Sequence, residues 1–491
     1  MGEFWNVLDM AHNIANQIWK HSFMQNAAPA VACESLNGTF LHKLGISWIP
    51  NQAPAFYINS KQVRILHEPR SFYNLLLEQI NKANNRIVLS SLYLGTGHLE
   101  KDLVQAIQKR LAEKPNLVVK ILLDCTRGSR GQSTSRQMVL PLLANHSDSC
   151  SVSLYQTASL QGPLNALLPT KYKEIVGLHH IKIYAFDDNF IITGANLSTD
   201  YFTNRQDRYI FIKGSQDLTD FVEGLVDKIS EFSFHLNSNN TLTLGDNCPP
   251  LKDKKNFNFA ASSAIRNYYD SFIGKGKIGD EDTVIFPLLE MGPFGIHTDS
   301  TITTKILEQY QEDAQVFLTT GYFNLTNSYI DTIIDKSKAK YKILMAHPMA
   351  NGFYKAKFPA GGIPDAYTYL ASSFLKQIIR HKQTNRIKIF EYKRPNWTYH
   401  AKGLWVNTEE IELPFITMVG SPNFGERSVN HDLECQFLLA TADEKLQCDL
   451  YEERKLLYSK SHIFSEKVWN NPDRKIPAWV KVVVLFFRSY L

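Results

Sequence analysis

Two stretches of this chain repeat one constellation, His180-Ile181-Lys182 and His400-Ala401-Lys402. Each precedes a glycine–asparagine turn, Gly194-Ala195-Asn196 and Gly420-Ser421-Pro422-Asn423. At equal spacing beyond each asparagine stands an acid, Asp207 in the first copy and Glu434 in the second. The repeat reaches outside the motifs, since Leu89-Ser90-Ser91-Leu92-Tyr93 answers Leu318-Thr319-Thr320-Gly321-Tyr322 and Lys120-Ile121-Leu122 answers Lys342-Ile343-Leu344. A period this long means a duplicated domain and not a solenoid. The chain is therefore constrained to two related lobes, and the matched polar residues predict one site between them.

Within each copy, short β-branched runs alternate with longer helical patterns. Arg86–Leu92, Val118–Leu123, Ile181–Phe186, Phe190–Thr193 and Arg208–Ile212 read as strands, and Ser71–Lys82 and Leu99–Leu111 as helices. The second copy repeats the strands with Ala314–Thr320, Tyr341–Met345, Ile387–Tyr392, Gly403–Val406 and Phe415–Val419. This alternation predicts an α/β fold with helices flanking a sheet. The boundaries expected are an N-terminal segment 1–54, a first domain 55–236, a polar asparagine-rich crossover 237–285, a second domain 286–460 and an apolar tail 461–491. A chain of 491 residues accommodates this, because a single core seldom grows past about 250–300 residues.

A net charge of +5 suits anionic small substrates or an anionic lipid surface, and falls short of a dedicated nucleic-acid binder. The six scattered cysteines contain no CxxC pair, which argues against a zinc ribbon or a disulfide framework. No apolar run approaches the ~18–20 residues that cross a bilayer. Near the N-terminus Phe4, Leu8, Ala11, Ala15, Ile18 and Trp19 recur at helical spacing. Glu3, Asp9 and a first arginine only at Arg64 do not fit a transit peptide. The C-terminal run Ala478–Arg488 is apolar, aromatic and basic, and suits a segment lying in the lipid interface. A helix or strand packed on the body of the protein fits that run equally well.

A histidine and a lysine two residues apart on a strand point to the same face. That spacing places an imidazole and an ammonium around one phosphate, and the asparagine amides Asn196 and Asn423 add neutral donors. Two histidines facing one phosphate can divide the work between a nucleophile and a general acid/base. An acid on the far ring nitrogen fixes tautomer and orientation, a role open to Asp207 and Glu434. A lone histidine or lysine on a strand is usually a satisfied structural residue; recurrence of both type and spacing argues otherwise. A metal site fits poorly, because a lysine beside each histidine repels a cation.

The segments His180-x-Lys182-x4-Asp187 and His400-x-Lys402 with Gly420-Ser421-x-Asn423 resemble the HKD motifs of the phospholipase D superfamily. That resemblance implies two tandem phospholipase D-like α/β/α sandwich domains related by a pseudo-two-fold axis, with one shared active site and no cofactor. Longer stretches are similar to the phosphatidylglycerophosphate synthases of eukaryotic mitochondria. These are Ser91–Gly97, Asp124–Gly131, Tyr201–Tyr209 and Gly420–Ser428. The resemblance implies transfer of a phosphatidyl group from CDP-diacylglycerol to sn-glycerol 3-phosphate with CMP as product, through a phosphatidyl-histidine. It also implies a mitochondrial protein peripheral on the inner membrane. His180 is then the nucleophile and His400 the general acid/base, the reverse remaining open. Asn407 stands where the second motif would carry its aspartate, so Asp187 is expected to be structural. Arg127, Arg130, Arg136, Arg205, Arg208 and Arg427, with Ser421, are candidates to hold the substrate phosphates. The alternatives are phosphatidylserine synthase, cardiolipin synthase, or a phosphodiesterase nuclease; the mild charge opposes the last.

Overall fold

The computed structural model describes residues 36–160, 170–245, 248–276, 279–469, 471 and 474–491. The helically spaced apolar residues Phe4 to Trp19 lie outside them. In the first lobe three β-branched runs, Arg86–Ser91, Val118–Asp124 and Cys150–Tyr155, pair in parallel. Parallel neighbours need crossovers, and the amphipathic helices His98–Glu113 and Ser135–His146 supply them. The nine strands run in the order Leu242–Leu244, Phe234–Leu236, Cys150–Tyr155, Val118–Asp124, Arg86–Ser91, Ile183–Phe186, Asn189–Thr193, Tyr209–Ile212 and Val63–Leu66.

The second lobe repeats the middle of that order with Ile387–Tyr392, Lys340–Ala346, Ala314–Thr320, Gly403–Thr408, Ile416–Gly420 and Leu433–Thr441. Six strands in one order with one connectivity are the structural form of the repeat. Thr283–Met291 and Phe56–Ile58 extend this sheet beyond Leu433–Thr441. The strand Phe56–Ile58 thus pairs with Thr283–Ile285 of the second lobe. Just before it, Leu41, Ile46, Ile49 and Ala53 are buried in the core. The polar crossover contains a helix, Lys254–Asp270, which buries Phe257, Ala261, Ile265 and Tyr269.

One apolar cluster spans both lobes. It joins Ile183, Phe190 and Ile192 of the first sheet to Leu288, Met418 and Phe437 of the second. The rings of Phe190 and Phe437 meet edge to face at 5.1 Å across the junction. A separate cluster lies under the outer helices of the first lobe, around Phe72, Leu76, Leu103, Ile107, Leu142 and Leu154.

Two local readings need correcting. The His-x-Lys motifs do not sit on strands: those strands begin at Ile183 and Gly403, so each motif occupies the segment leading in. Strand pairing is replaced there by bonds to the opposite lobe. Arg208, a candidate for substrate phosphate, is fully buried instead. Its Nε and Nη2 donate to Glu453 at 2.8 and 2.7 Å, Nη1 to the Met418 carbonyl at 2.8 Å and Nη2 to Thr417 at 2.7 Å. The guanidinium lies over the Trp405 ring at 3.7 Å. Its donors are therefore spent tying the first lobe to the second.

Breaking a buried pair leaves an uncompensated charge. Arg208→Met is expected to cost about 3–5 kcal/mol, read as a lowered thermal midpoint. Adding Glu453→Met should recover part of that loss. A double variant as unstable as the sum of both singles contradicts the tie.

Candidate active site

The two motifs meet through a reciprocal exchange between lobes. His180 Nδ1 lies 3.0 and 2.9 Å from the carboxylate oxygens of Glu434, and its backbone N–H donates to the Leu433 carbonyl at 2.9 Å. His400 Nδ1 lies 2.7 Å from Asp207 Oδ2, and its backbone N–H donates to the Gln206 carbonyl at 2.8 Å. In both directions the histidine binds the other lobe's acid and the residue just before it. Such a carboxylate holds the ring proton on Nδ1 and points Nε2 away from it. The adjacent His179 goes to the core, its Nε2 2.7 Å from Ser90 Oγ.

Close approach explains why the first turn has Gly194 where the second has Ser421. A Cβ on Gly194 would stand 2.8 Å from the Gly420 carbonyl and 3.1 Å from the Lys402 chain, so no serine fits there. Asp187 adopts φ 49° and accepts from the backbone N–H groups of Asn84, Asn85 and Arg86 at 2.9, 2.8 and 3.1 Å. It caps the start of a strand, a structural role. Asn407 takes the corresponding place and accepts from Arg454.

Lys182 and Lys402 are both buried, and each donates to the carbonyl of its motif histidine, Lys402 at 2.7 Å. Lys402 Nζ also lies 2.7 Å from His400 Nδ1. With the Nδ1 proton held by the carboxylate, the acceptors open to this ammonium are the carbonyl and the Nε2 lone pair, 3.1 Å away. The Asn196 amide donates to the Tyr201 hydroxyl at 3.1 Å, and that hydroxyl lies 3.1 Å from His400 Nε2. The Asn423 side-chain oxygen is buried with no hydrogen-bond partner among the described residues. Glu434 also accepts from Ser428 at 3.0 Å. Ser421, expected to face substrate, instead exchanges bonds with the Cys435 backbone at 3.2 and 3.1 Å.

The two histidines are not equivalent. His400 Nε2 is engaged by Tyr201, and the His400 side chain is 3% exposed. His180 is 12% exposed, and its Nε2 makes no hydrogen bond among the described residues. Burial, and next the neighbouring lysine, hold both imidazoles well below their ordinary value. Burial lowers Lys402 to about 8 and raises Glu434 to about 7 and Asp207 to about 6. Two ammonium groups beside two imidazoles favour neutral rings; an anion brought among them favours the charged forms.

The remaining arginines divide. Arg205 lies over Tyr201 at 4.7 Å, pairs with Asp200 at 3.0 Å and adds to the field on His400. Arg427 pairs with Asp432 at 2.9 Å, donates to the Glu174 carbonyl at 2.7 Å and acts on His180. Arg130 pairs with Glu174 at 2.6 Å, and Arg127 lies over Tyr93 at 4.2 Å. Arg136 turns to the Asn240 carbonyl in the Leu236–Leu242 hairpin. Sequence reasoning missed Tyr201 and Tyr322 as site residues. The Tyr322 ring meets His400 edge to face at 5.6 Å and stacks on Tyr367 at 5.4 Å. Both tyrosines stand in segments that recur or resemble the family, which was the available signal. Among the described residues one cluster, His347, Glu391 and His462, has cation-ligand spacing. Arg474 holds both Glu391 oxygens at 2.7 and 2.6 Å, and its charge opposes a cation.

A family model described as a cardiolipin synthase PLD-like domain matches residues 76–229. The mitochondrial CDP-diacylglycerol–glycerol-3-phosphate 3-phosphatidyltransferase of Gallus gallus is 41% identical over 90% of this chain and 86% of its own length. The enzyme of that name from Homo sapiens is 39% identical over 90% of this chain and 85% of its own. The one from Saccharomyces cerevisiae is 32% identical over 91% of both. The fold is that of the Haemophilus influenzae phosphatidylserine synthase, with a TM-score of 0.69, 20% identity, and coverage of 90% of this chain and 96% of that one.

Sulfate keeps its charge across the neutral range and so reports the protein's own titration. Lys402 carries its proton below about 8 and loses it above, so sulfate affinity should fall as pH rises through that value. Lys402→Arg should remove the part of the fall centred near 8, since arginine stays charged. A flat profile in the parent protein removes this ammonium from the anion site.

Proposed function

The chain belongs to the CDP-diacylglycerol–glycerol-3-phosphate 3-phosphatidyltransferase family, and we propose that it makes phosphatidylglycerophosphate by a two-step transfer through His180. The observation that carries this reading is the crossed pairing of His180 with Glu434 and His400 with Asp207. It fits two imidazoles to one phosphorus, with different freedom at Nε2.

In the first step His180 Nε2 attacks the phosphatidyl phosphorus of CDP-diacylglycerol. A P–N bond forms, the P–O bond to CMP breaks, and Glu434 stabilises the cationic ring. CMP leaves as a phosphomonoester whose second pKa is about 6, so it needs little protonation. In the second step the hydroxyl of sn-glycerol 3-phosphate attacks phosphorus and the P–N bond breaks. An alcohol is far more basic than CMP once ionised, so a base matters most here. His400 takes that proton at Nε2, directly or through the Tyr201 phenol, and passes it to solvent. A neutral His400 in the resting enzyme suits a base, which shifts its work from the leaving group to the acceptor.

Lys182 and Lys402, with the amides of Asn196 and Asn423, stabilise the added charge of five-coordinate phosphorus. Arg205 and Arg427, which act on His400 and His180, are the arginines placed to serve the diphosphate and the phosphomonoester. The relatives' names support a mitochondrial setting. No helix among the described residues is long and apolar enough to cross a membrane. We place the enzyme as a peripheral protein of the inner membrane.

Offered CDP-diacylglycerol, the purified protein should release CMP with glycerol 3-phosphate and not with serine, phosphatidylglycerol or water alone. Equal release without acceptor, or release only with serine, sinks the assignment. His180→Ala should form no phosphatidyl adduct. His400→Ala should release one CMP per chain rapidly and then slow roughly 10²–10⁴-fold in transfer. The opposite pattern means the roles are exchanged.

A further inference from the structure

The C-terminal helix Ala478–Phe487 buries a narrow stripe and exposes the rest. Val480 and Val484 pack on Ala366, one turn apart. On the other side Leu485 is 76% exposed, Phe486 71%, Val482 55% and Phe487 53%. Beside it the loop from Met349 to Phe358 presents Met349, Tyr354 and Phe358, the last 79% exposed, with its ring 5.2 Å from that of Trp479. Apolar side chains this exposed and this contiguous mark an interaction surface. Basic residues frame them: Lys355, Lys357, Lys475, Lys481 and Arg488. Neither segment 349–363 nor 474–491 contains an aspartate or glutamate.

The patch is continuous with the active site. A Cβ on Gly352 would stand 3.2 Å from the Arg205 guanidinium and 3.6 Å from the Tyr322 hydroxyl. The Phe353 ring lies 6.1 Å from that of Tyr322, which itself meets His400. The same loop therefore starts at the rim of the site and ends on the exposed helix. At the other end Tyr490 stacks on His431 at 4.5 Å, and Arg488 donates to Asn324 at 3.2 Å and to the Leu325 carbonyl at 2.8 Å.

We propose that this face, the outer side of Ala478–Phe487 with the Met349–Phe358 loop, docks the protein on an anionic lipid bilayer with the active-site rim at the headgroups. A ten-residue helix is about 15 Å long, half of the ~30 Å hydrocarbon core, so it lies in the interface. Aromatic and aliphatic side chains enter the acyl boundary, while lysines reach back to anionic headgroups. A protein partner fits worse, since the cores of protein interfaces are depleted in lysine. The proposal rests on the phosphatidyl-transfer reading for one point only, that a lipid substrate must come to this rim.

The test uses the full chain with vesicles of neutral lipid, with and without anionic lipid. Trp479 is read as the difference between parent and Trp479→Phe, and brominated acyl chains serve as quencher. Docking predicts quenching of Trp479 on anionic vesicles. The double variant Leu485→Glu, Phe486→Glu should bind vesicles at least roughly tenfold more weakly, with an unchanged thermal midpoint. It should still release CMP from a short-chain substrate dispersed as monomers. Absence of Trp479-specific quenching overturns the proposal. So does a double variant that binds vesicles normally but passes from dimer to monomer, which assigns the face to a second copy of the chain. Quenching without any CMP release to glycerol 3-phosphate keeps the docking face and removes the enzymatic reading instead.

Discussion

A buried imidazole is useful only while something fixes its proton, and in this molecule each lobe fixes the proton of the other. Glu434 holds His180 and Asp207 holds His400, and the backbone bonds to Leu433 and Gln206 run in the same crossed sense. Much of the architecture follows from this. The lobes must meet tightly enough that Gly194 lies against Gly420, and a buried Arg208–Glu453 pair must hold them there. The shared apolar cluster, with Phe190 against Phe437, adds an apolar contact at the same junction. Neither lobe alone supplies both a motif histidine and the acid that holds it.

The duplicated residues made the α/β class and the two-lobed organisation legible, whereas the strand order and the strand Cys150–Tyr155 came only from the structure. The helices Pro69–Lys82 and His98–Glu113 extend the expected runs Ser71–Lys82 and Leu99–Leu111 by a residue or two at their ends. The crossing of the acids was not legible. Spacing ties Asp207 to Asn196 along the chain, and only the three-dimensional exchange assigns it to His400. Arg208 misled for a similar reason: an arginine that follows a motif turn and its acid resembles a phosphate ligand until its donors are counted. Tyr201 stands in the family-like stretch Tyr201–Tyr209, and only the fold brings its hydroxyl to His400.

Charge inside the site runs against the usual expectation for a histidine pair. Burial, and after it the two ammonium groups, press both rings toward neutrality, while burial raises both acids. Anionic phosphates brought among these groups oppose that field on the rings. Binding and protonation are coupled by that arrangement, since an anion arriving at the motif lysines favours the charged form of each ring.

The strand Phe56–Ile58 gives the duplication an unexpected topology. It belongs to the sheet of the second lobe, at the edge beyond Thr283–Met291, although the whole first lobe lies between them in the chain. In chain order the first lobe is therefore an insertion within the second, not a bead strung before it. On a ribosome the opening strand emerges early and waits while more than two hundred residues are made before its partner appears. A gene split in the crossover separates that strand from its sheet, so the molecule is one folding unit despite its two matching halves.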